Sequence, residues 1–150
     1  MSHHRATVEW KRQGEFVYAT YSRMHEVRFE SGVAFPGRAS PGNIPKTAPS
    51  GPGVDPEEGF VASVSQCHML WFLHLALAAK FVVDRYVDEA AGVLDRTWMS
   101  KVTLRPRVTF SGKAPSAEEH LALHHKAHEK CFIANSIKSE VIVEPSIDQR

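Results

Sequence analysis

"PEEGFVASVSQCHMLWFLHLALAAKF", residues 56–81, is the stretch on which the reading of the whole chain turns. It is long and apolar enough to suggest a membrane span, but Ser63, Ser65, Gln66, His68 and His74 interrupt it, and such groups are costly in lipid. A helix apolar nearly all round is otherwise one surrounded by protein. A 150-residue chain has little material to wrap such a helix, and a second copy of the chain covering it would make up the shortage. The start is marked: Asp55 offers a side-chain acceptor for an N-cap, Pro56 suits the first helical position, and Glu58 stands three residues after the cap. The helix is expected to run to about Lys80.

The flanking segments read outward from this helix. Residues 5–11 and 16–30 alternate apolar with polar side chains and are rich in Val, Tyr, Phe and Thr, the pattern of two antiparallel strands joined at "RQGE", the second bent or split. Residues 36–56, "PGRASPGNIPKTAPSGPGVDP", are too dense in Pro and Gly for a helix or strand interior and read as a long loop. After the helix, residues 82–94 and 98–111 read as strands. Ser116 with Glu119 forms a second capping box opening a helix that ends near Asn135, and "SIKSEVIVEP" closes the chain as an alternating strand. The order of elements describes one α+β domain over residues 1–150, with antiparallel or mixed sheets packed around a central buried helix.

Composition narrows the function. Eighteen basic residues face seventeen acidic ones and are scattered, so no electrostatic footprint for nucleic acid is present. No membrane partner is expected, and the N-terminal stretch lacks the apolar run of a secretory signal, which makes the cytoplasm the default location. No phosphate-binding or dinucleotide fingerprint occurs, and no cofactor is expected.

Two cysteines, Cys67 and Cys131, stand 64 positions apart. In a reducing compartment a structural disulfide is disfavoured, so the pair reads either as redox-active or as two small core residues. A reactive thiol needs its anion stabilised. The helix N-terminus is too far from Cys67 for that, and apolar burial acts the wrong way. Either the helix breaks between Gly59 and Ser65, or a cation is brought in from elsewhere, with Arg23 and Arg38 as candidates. Trp71, Met69 and Phe72 read first as core, and aromatic groups near Cys67 would also supply an apolar pocket for an organic substrate. A polar strip of Ser63, Cys67 and His74 either lines such a pocket or is explained by serines bonding back to the preceding turn.

A second constellation lies on the later helix. His120, His124, His128 and Cys131 fall at about 0°, 40°, 80° and 20° around its axis, one stripe. This suits a zinc site, but no general-base motif accompanies it, and a solvated or interfacial histidine face is the simpler account. Metal binding through His120, His124 and His128 is the alternative kept open, with no metal as the first expectation.

Two segments carry a family resemblance. "DPEEGFVASVSQCH" resembles the acidic-residue and cysteine motif of the OsmC/Ohr family, the osmotically inducible and organic hydroperoxide resistance proteins, and "AHEKCFIANSIKSEVIVEP" is similar to that family's second-cysteine helix and final strand. The chain departs from the pattern in the polar Gln66 and His68 beside the cysteine, and in Phe132 where many members have proline. What the resemblance implies is an OsmC-like fold, an intertwined homodimer and a peroxiredoxin-like thiol peroxidase acting on organic hydroperoxides. Cys67 would be the peroxidatic cysteine and Cys131 the resolving one, with an external dithiol, often lipoyl in this family, as reductant. The activating pair would be Glu57, ten residues before Cys67, and Arg23, with Arg38 as the alternative arginine.

Overall fold

A computed structural model describes residues 1–148. The chain divides into two compact units, Met1–Gly59 and from Phe60 onward. The first is a three-stranded antiparallel sheet in the order β1 (Ala6–Glu9), β2 (His25–Phe29), β3 (Ala34–Gly37). Val8 pairs with Val27 and Val27 with Phe35, and Gly32 takes the positive φ of 84° that the turn between β2 and β3 needs.

Two expectations fail in this unit. The strand expected over 16–30 is formed only by His25–Phe29. Trp10, Phe16 and Tyr21 instead pack ring on ring, with centroids 4.9–6.2 Å apart, so the alternating aromatics hold a loop together rather than a ladder. The Pro/Gly segment, in turn, begins inside a strand. Pro36 belongs to β3, whose far edge makes, among the described residues, only the isolated bridge between Gly37 and Val54, and an edge position tolerates a residue with no N–H.

The second unit carries two mixed sheets, one whole helix and all but the first turn of another. Helix α1 spans Pro56–Ala78 and α2 spans Ala117–Lys130. The strands are β4 (Val82–Asp88), β5 (Ala91–Asp95), β6 (Trp98–Leu104), β7 (Pro106–Ser111), β8 (Glu140–Val143) and β9 (Ser146–Ile147). They form the sheets β4-β7-β9 and β5-β6-β8, with β7–β9 and β6–β8 parallel. The two strands expected between 82 and 111 are thus four. Arg105 separates β6 from β7, and the chain crosses there from one sheet to the other. The closing strand expected over 136–145 is formed only by Glu140–Val143, and a further short strand, β9, follows Pro145 and joins the other sheet.

Both capping boxes form. Asp55 Oδ1 accepts from Glu58 N at 2.8 Å while Glu58 Oε2 accepts from Asp55 N at 3.0 Å, and Ser116 with Glu119 repeats the arrangement. Helix α1 then runs unbroken, without the break between Gly59 and Ser65 that would have brought a helix terminus to Cys67. Ten residues of helix separate Glu57 from Cys67, about 15 Å of rise. Helix α2 stops at Lys130, short of Asn135. Cys131 caps it with extended backbone, and the Asn135 side chain donates to Glu129 O at 2.9 Å.

The helix called central is buried along one stripe of this chain, not all round. Val64, His68, Phe72 and Ala76, spaced by four, are shut off from solvent, whereas Leu70 and Leu77 stand 61% and 75% exposed. Length and composition would allow α1 to cross a membrane, but its buried stripe belongs to the protein core. Phe72 and Ala76 pack with Val108, Phe110, Leu123 and Ala127, and Val64 packs with Val102 and Leu104. Phe72→Ala is expected to cost about 3–5 kcal/mol through lost burial and the cavity left behind, whereas Leu77→Ala, judged from one chain, costs well under 1 kcal/mol. Urea unfolding of the two variants checks the contrast.

Candidate functional site

Cys67 lies half-buried in the middle of α1, and Cys131 is buried at the end of α2. The fold brings the two free thiols close enough for the one to act on the other. Burial first, and the Cys67 thiol second, push the Cys131 thiol up to about 11, although Ala134 N donates to its Sγ at 3.4 Å and pulls the other way. Cys131 is therefore held as a protonated thiol.

The candidate arginines have different surroundings. Arg23 is stacked on Tyr21, 3.9 Å from guanidinium to ring centre, and lies 5.2 Å from the Tyr18 ring. It also donates to the carbonyls of Tyr21 and Tyr18. Arg38 sits beside the carboxylates at the start of α1, 3.2 Å from Glu58 Oε1 and 3.9 Å from Asp55 Oδ2. Its Nε is buried and has no hydrogen-bond partner among the described residues, and the same holds for Oε2 of Glu57. Within the first unit, then, Arg38 and Glu57 each keep an unused buried polar atom.

The aromatic candidates also separate. Phe72 is fully buried, stacked on the His124 ring at 4.1 Å. Trp71 makes edge contacts with His74 and Phe132, and Lys130 lies over its ring at 5.6 Å. Met69 is half-buried. Ser63 donates to Phe60 O at 2.7 Å, the back-bond to the preceding turn, and His74 is exposed.

The histidine stripe of α2 is used in a way the sequence reading missed. His68 Nε2 lies 2.9 Å from His124 Nδ1, and His124 Nε2 lies 3.2 Å from His120 Nε2. Three buried imidazoles from two helices thus form one hydrogen-bonded chain. Among the described residues no group of three or more His, Cys, Asp or Glu side chains is arranged to hold a metal ion; His128, the third candidate ligand, stands outside the chain with its buried Nδ1 unpartnered. The available signal was the four-residue spacing of Val64, His68, Phe72 and Ala76, which sets His68 on the buried face.

Burial keeps these rings neutral. Burial first and the nearby His128 second lower His68 to about 4. Burial, then His120 and His68, lower His124 still further, and burial lowers His120. Each ring takes up its proton more readily in the unfolded chain, so stability is complete above the ordinary histidine range near 6.5 and falls as pH drops towards 4. His68 alone accounts for roughly 3 kcal/mol over that interval. Urea midpoints measured from pH 7.5 to 4 are expected to fall steeply below pH 6.5 in the wild type, and the slope to flatten in His68→Asn.

Comparison with known proteins agrees with this architecture. Residues 49–146 match the family model described as OsmC-like protein. An OsmC-like protein of unknown function from Vibrio cholerae is 41% identical, with 97% of this chain and 99% of that one covered at a TM-score of 0.88. An organic hydroperoxide resistance protein from Elizabethkingia anophelis, solved with thiocyanate bound, is 18% identical (TM-score 0.69, 100% and 98% covered). A Legionella pneumophila protein also described as an organic hydroperoxide resistance protein is 22% identical (0.63, 99% and 98%). No curated protein sequence matches significantly. The chain belongs to the OsmC/Ohr family, and its mixed α+β architecture is that family's fold.

Proposed function

We propose that the protein is a thiol peroxidase reducing organic hydroperoxides. The observation that carries this reading is the pair of free thiols, Cys67 and Cys131, brought from two distant segments close enough to act on each other. Names borne by relatives of the same fold, organic hydroperoxide resistance proteins, point the same way. The half-buried Cys67 attacks the distal peroxide oxygen, giving a sulfenic acid and an alcohol. The protonated Cys131 thiol then condenses with it, forming the disulfide and releasing water. An external dithiol, lipoyl among the candidates, reduces the bridge by exchange. Trp71, Met69 and Phe72 are the proposed apolar surroundings of the substrate. The cytoplasm is the proposed compartment, since the cycle needs a dithiol pool. A homodimer is part of the proposal, because Leu70 and Leu77 leave an apolar face of α1 uncovered in a single chain.

For the activating pair we take Glu57 with Arg38 in place of Arg23. Arg23 already has two carbonyls and two tyrosine rings as partners, whereas Arg38 Nε and Glu57 Oε2 are buried and unpartnered among the described residues. Such atoms cost stability unless they are used. Arg38→Met is expected to slow oxidation of Cys67 by cumene hydroperoxide roughly 100-fold or more, and Arg23→Met less than about fivefold, as read by stopped-flow fluorescence. The reverse order would restore Arg23.

The peroxidase reading itself is tested by reducing the protein, removing the reductant and adding one equivalent of cumene hydroperoxide, with intact mass and free thiols followed. The wild type is expected to form an intramolecular disulfide, Cys131→Ser to stop at a trappable sulfenic acid, and Cys67→Ser not to react. Survival of both thiols in the wild type would sink the enzyme reading and leave a non-catalytic ligand-binding member of the fold.

A further inference from the structure

Peroxide reduction needs more than a thiolate. When the thiolate attacks, the O–O bond breaks and its electron pair leaves on an alkoxide, a strong base that must be protonated inside an apolar site. The arginine and glutamate of the proposed activating pair stabilise the sulfur anion, but neither accounts for this proton.

A path for it is built into the second unit. At one end stands His68, the residue after Cys67, whose Nδ1 is buried and has no hydrogen-bond partner among the described residues. Its Nε2 contacts His124, and His124 contacts His120. His120 lines a surface cavity of about 360 Å³ together with Ala117, Leu121, Pro145, Ser146 and Ile147. Each contact requires one N–H and one lone pair, so the three neutral rings share one polarity. With a proton on His68 Nδ1, His124 Nδ1–H donates to His68 Nε2, and His120 Nε2–H donates to His124 Nε2. Three imidazoles in the core have no packing advantage over apolar residues of similar volume, and both ends of this chain point to use: one ring nitrogen unpartnered and buried, the other ring lining a surface cavity.

We infer that His68, His124 and His120 form a proton relay from the cavity beside Pro145 to the Cys67–Cys131 thiol pair. The inference rests on the peroxidase reading and extends it to the proton. Cys67 loses its thiol proton to solvent as the thiolate forms. The thiolate attacks the distal oxygen, the S–O bond forms as the O–O bond breaks, and sulfur is oxidised as the peroxide is reduced. His68 Nδ1–H protonates the departing alkoxide to the alcohol, His124 reprotonates His68, His120 reprotonates His124, and the proton enters from water at His120. One proton leaves and one returns. His68 is the member that meets the reacting atoms, and His124 and His120 act through it. The titratable groups facing the relay are His128 from α2, which acts on His68, and Tyr86 from β4, which lies beside His124, with Asp88 acting on Tyr86; Cys67 precedes His68 on α1.

The test separates a proton-transfer role from a packing role by the leaving group. Single-turnover oxidation of Cys67 is measured in wild type, His124→Phe and His120→Gln with cumene hydroperoxide, whose alkoxide needs a proton, and with peracetic acid, whose carboxylate does not. Circular dichroism confirms folding of each variant. The expected result is a loss of about 100-fold with cumene hydroperoxide in His124→Phe, a smaller loss in His120→Gln, and less than a threefold change in either with peracetic acid. Equal losses with both oxidants, or no loss with either, overturn the relay while leaving the peroxidase intact. A wild type inert to cumene hydroperoxide overturns the peroxidase reading, and the relay with it.

Discussion

The contact on which the second unit depends is the one between the buried stripe of α1 and the inner face of α2. Phe72 stacks on His124, and His68 hydrogen-bonds to the same ring. Apolar burial supplies the bulk of the attraction there, and the imidazole bond adds direction, because a neutral buried ring must find its partner or lose the free energy of its hydration. This fixes the rotation of both helices about their axes. The same rotation sets Cys67 on the side of α1 next to Cys131, so packing and chemistry are decided together.

Burial has opposite consequences for the two kinds of titratable group assembled here. It lowers the histidines, keeping them neutral, and raises Cys131, keeping it a thiol. Both effects remove charge from the core. In the proposed cycle a resolving cysteine that stays protonated would not compete with the attacking one for peroxide, and neutral imidazoles keep the donor and acceptor on each ring that a hydrogen-bonded chain requires. The first unit takes the other course, with exposed ion pairs on its sheet and Arg38 beside the carboxylates at the start of α1.

Local signals in the sequence located the helices well. Asp55 with Glu58 and Ser116 with Glu119 are complete in a span of four residues, so their outcome needs no tertiary information. Signals that depend on a neighbour were less legible. The alternation in residues 16–24 looks like a strand, but Phe16 and Tyr21 had a better partner in Trp10 than any ladder offered. Pro36 looked like a breaker because its place on a sheet edge was not visible. The proposed site takes its two cysteines and Glu57 from motif spacing. The choice of Arg38 over Arg23 proposed above does not come from spacing, because it rests on which donors of each guanidinium are already engaged.

What the sequence by itself determined is therefore where α1 and α2 begin, that α1 is an apolar helix bearing a thiol, and that the second cysteine belongs to the motif at the end of α2. Each of these is set by side chains within a few residues of one another, or by a family pattern carried in the residues. Only the tertiary structure decided that His68 joins His124 and His120 in one chain, that Cys131 is shut away from solvent, and that 82–111 is four strands shared between two sheets. These outcomes depend on burial and on partners distant in sequence, which act on a side chain only once the chain has closed around it.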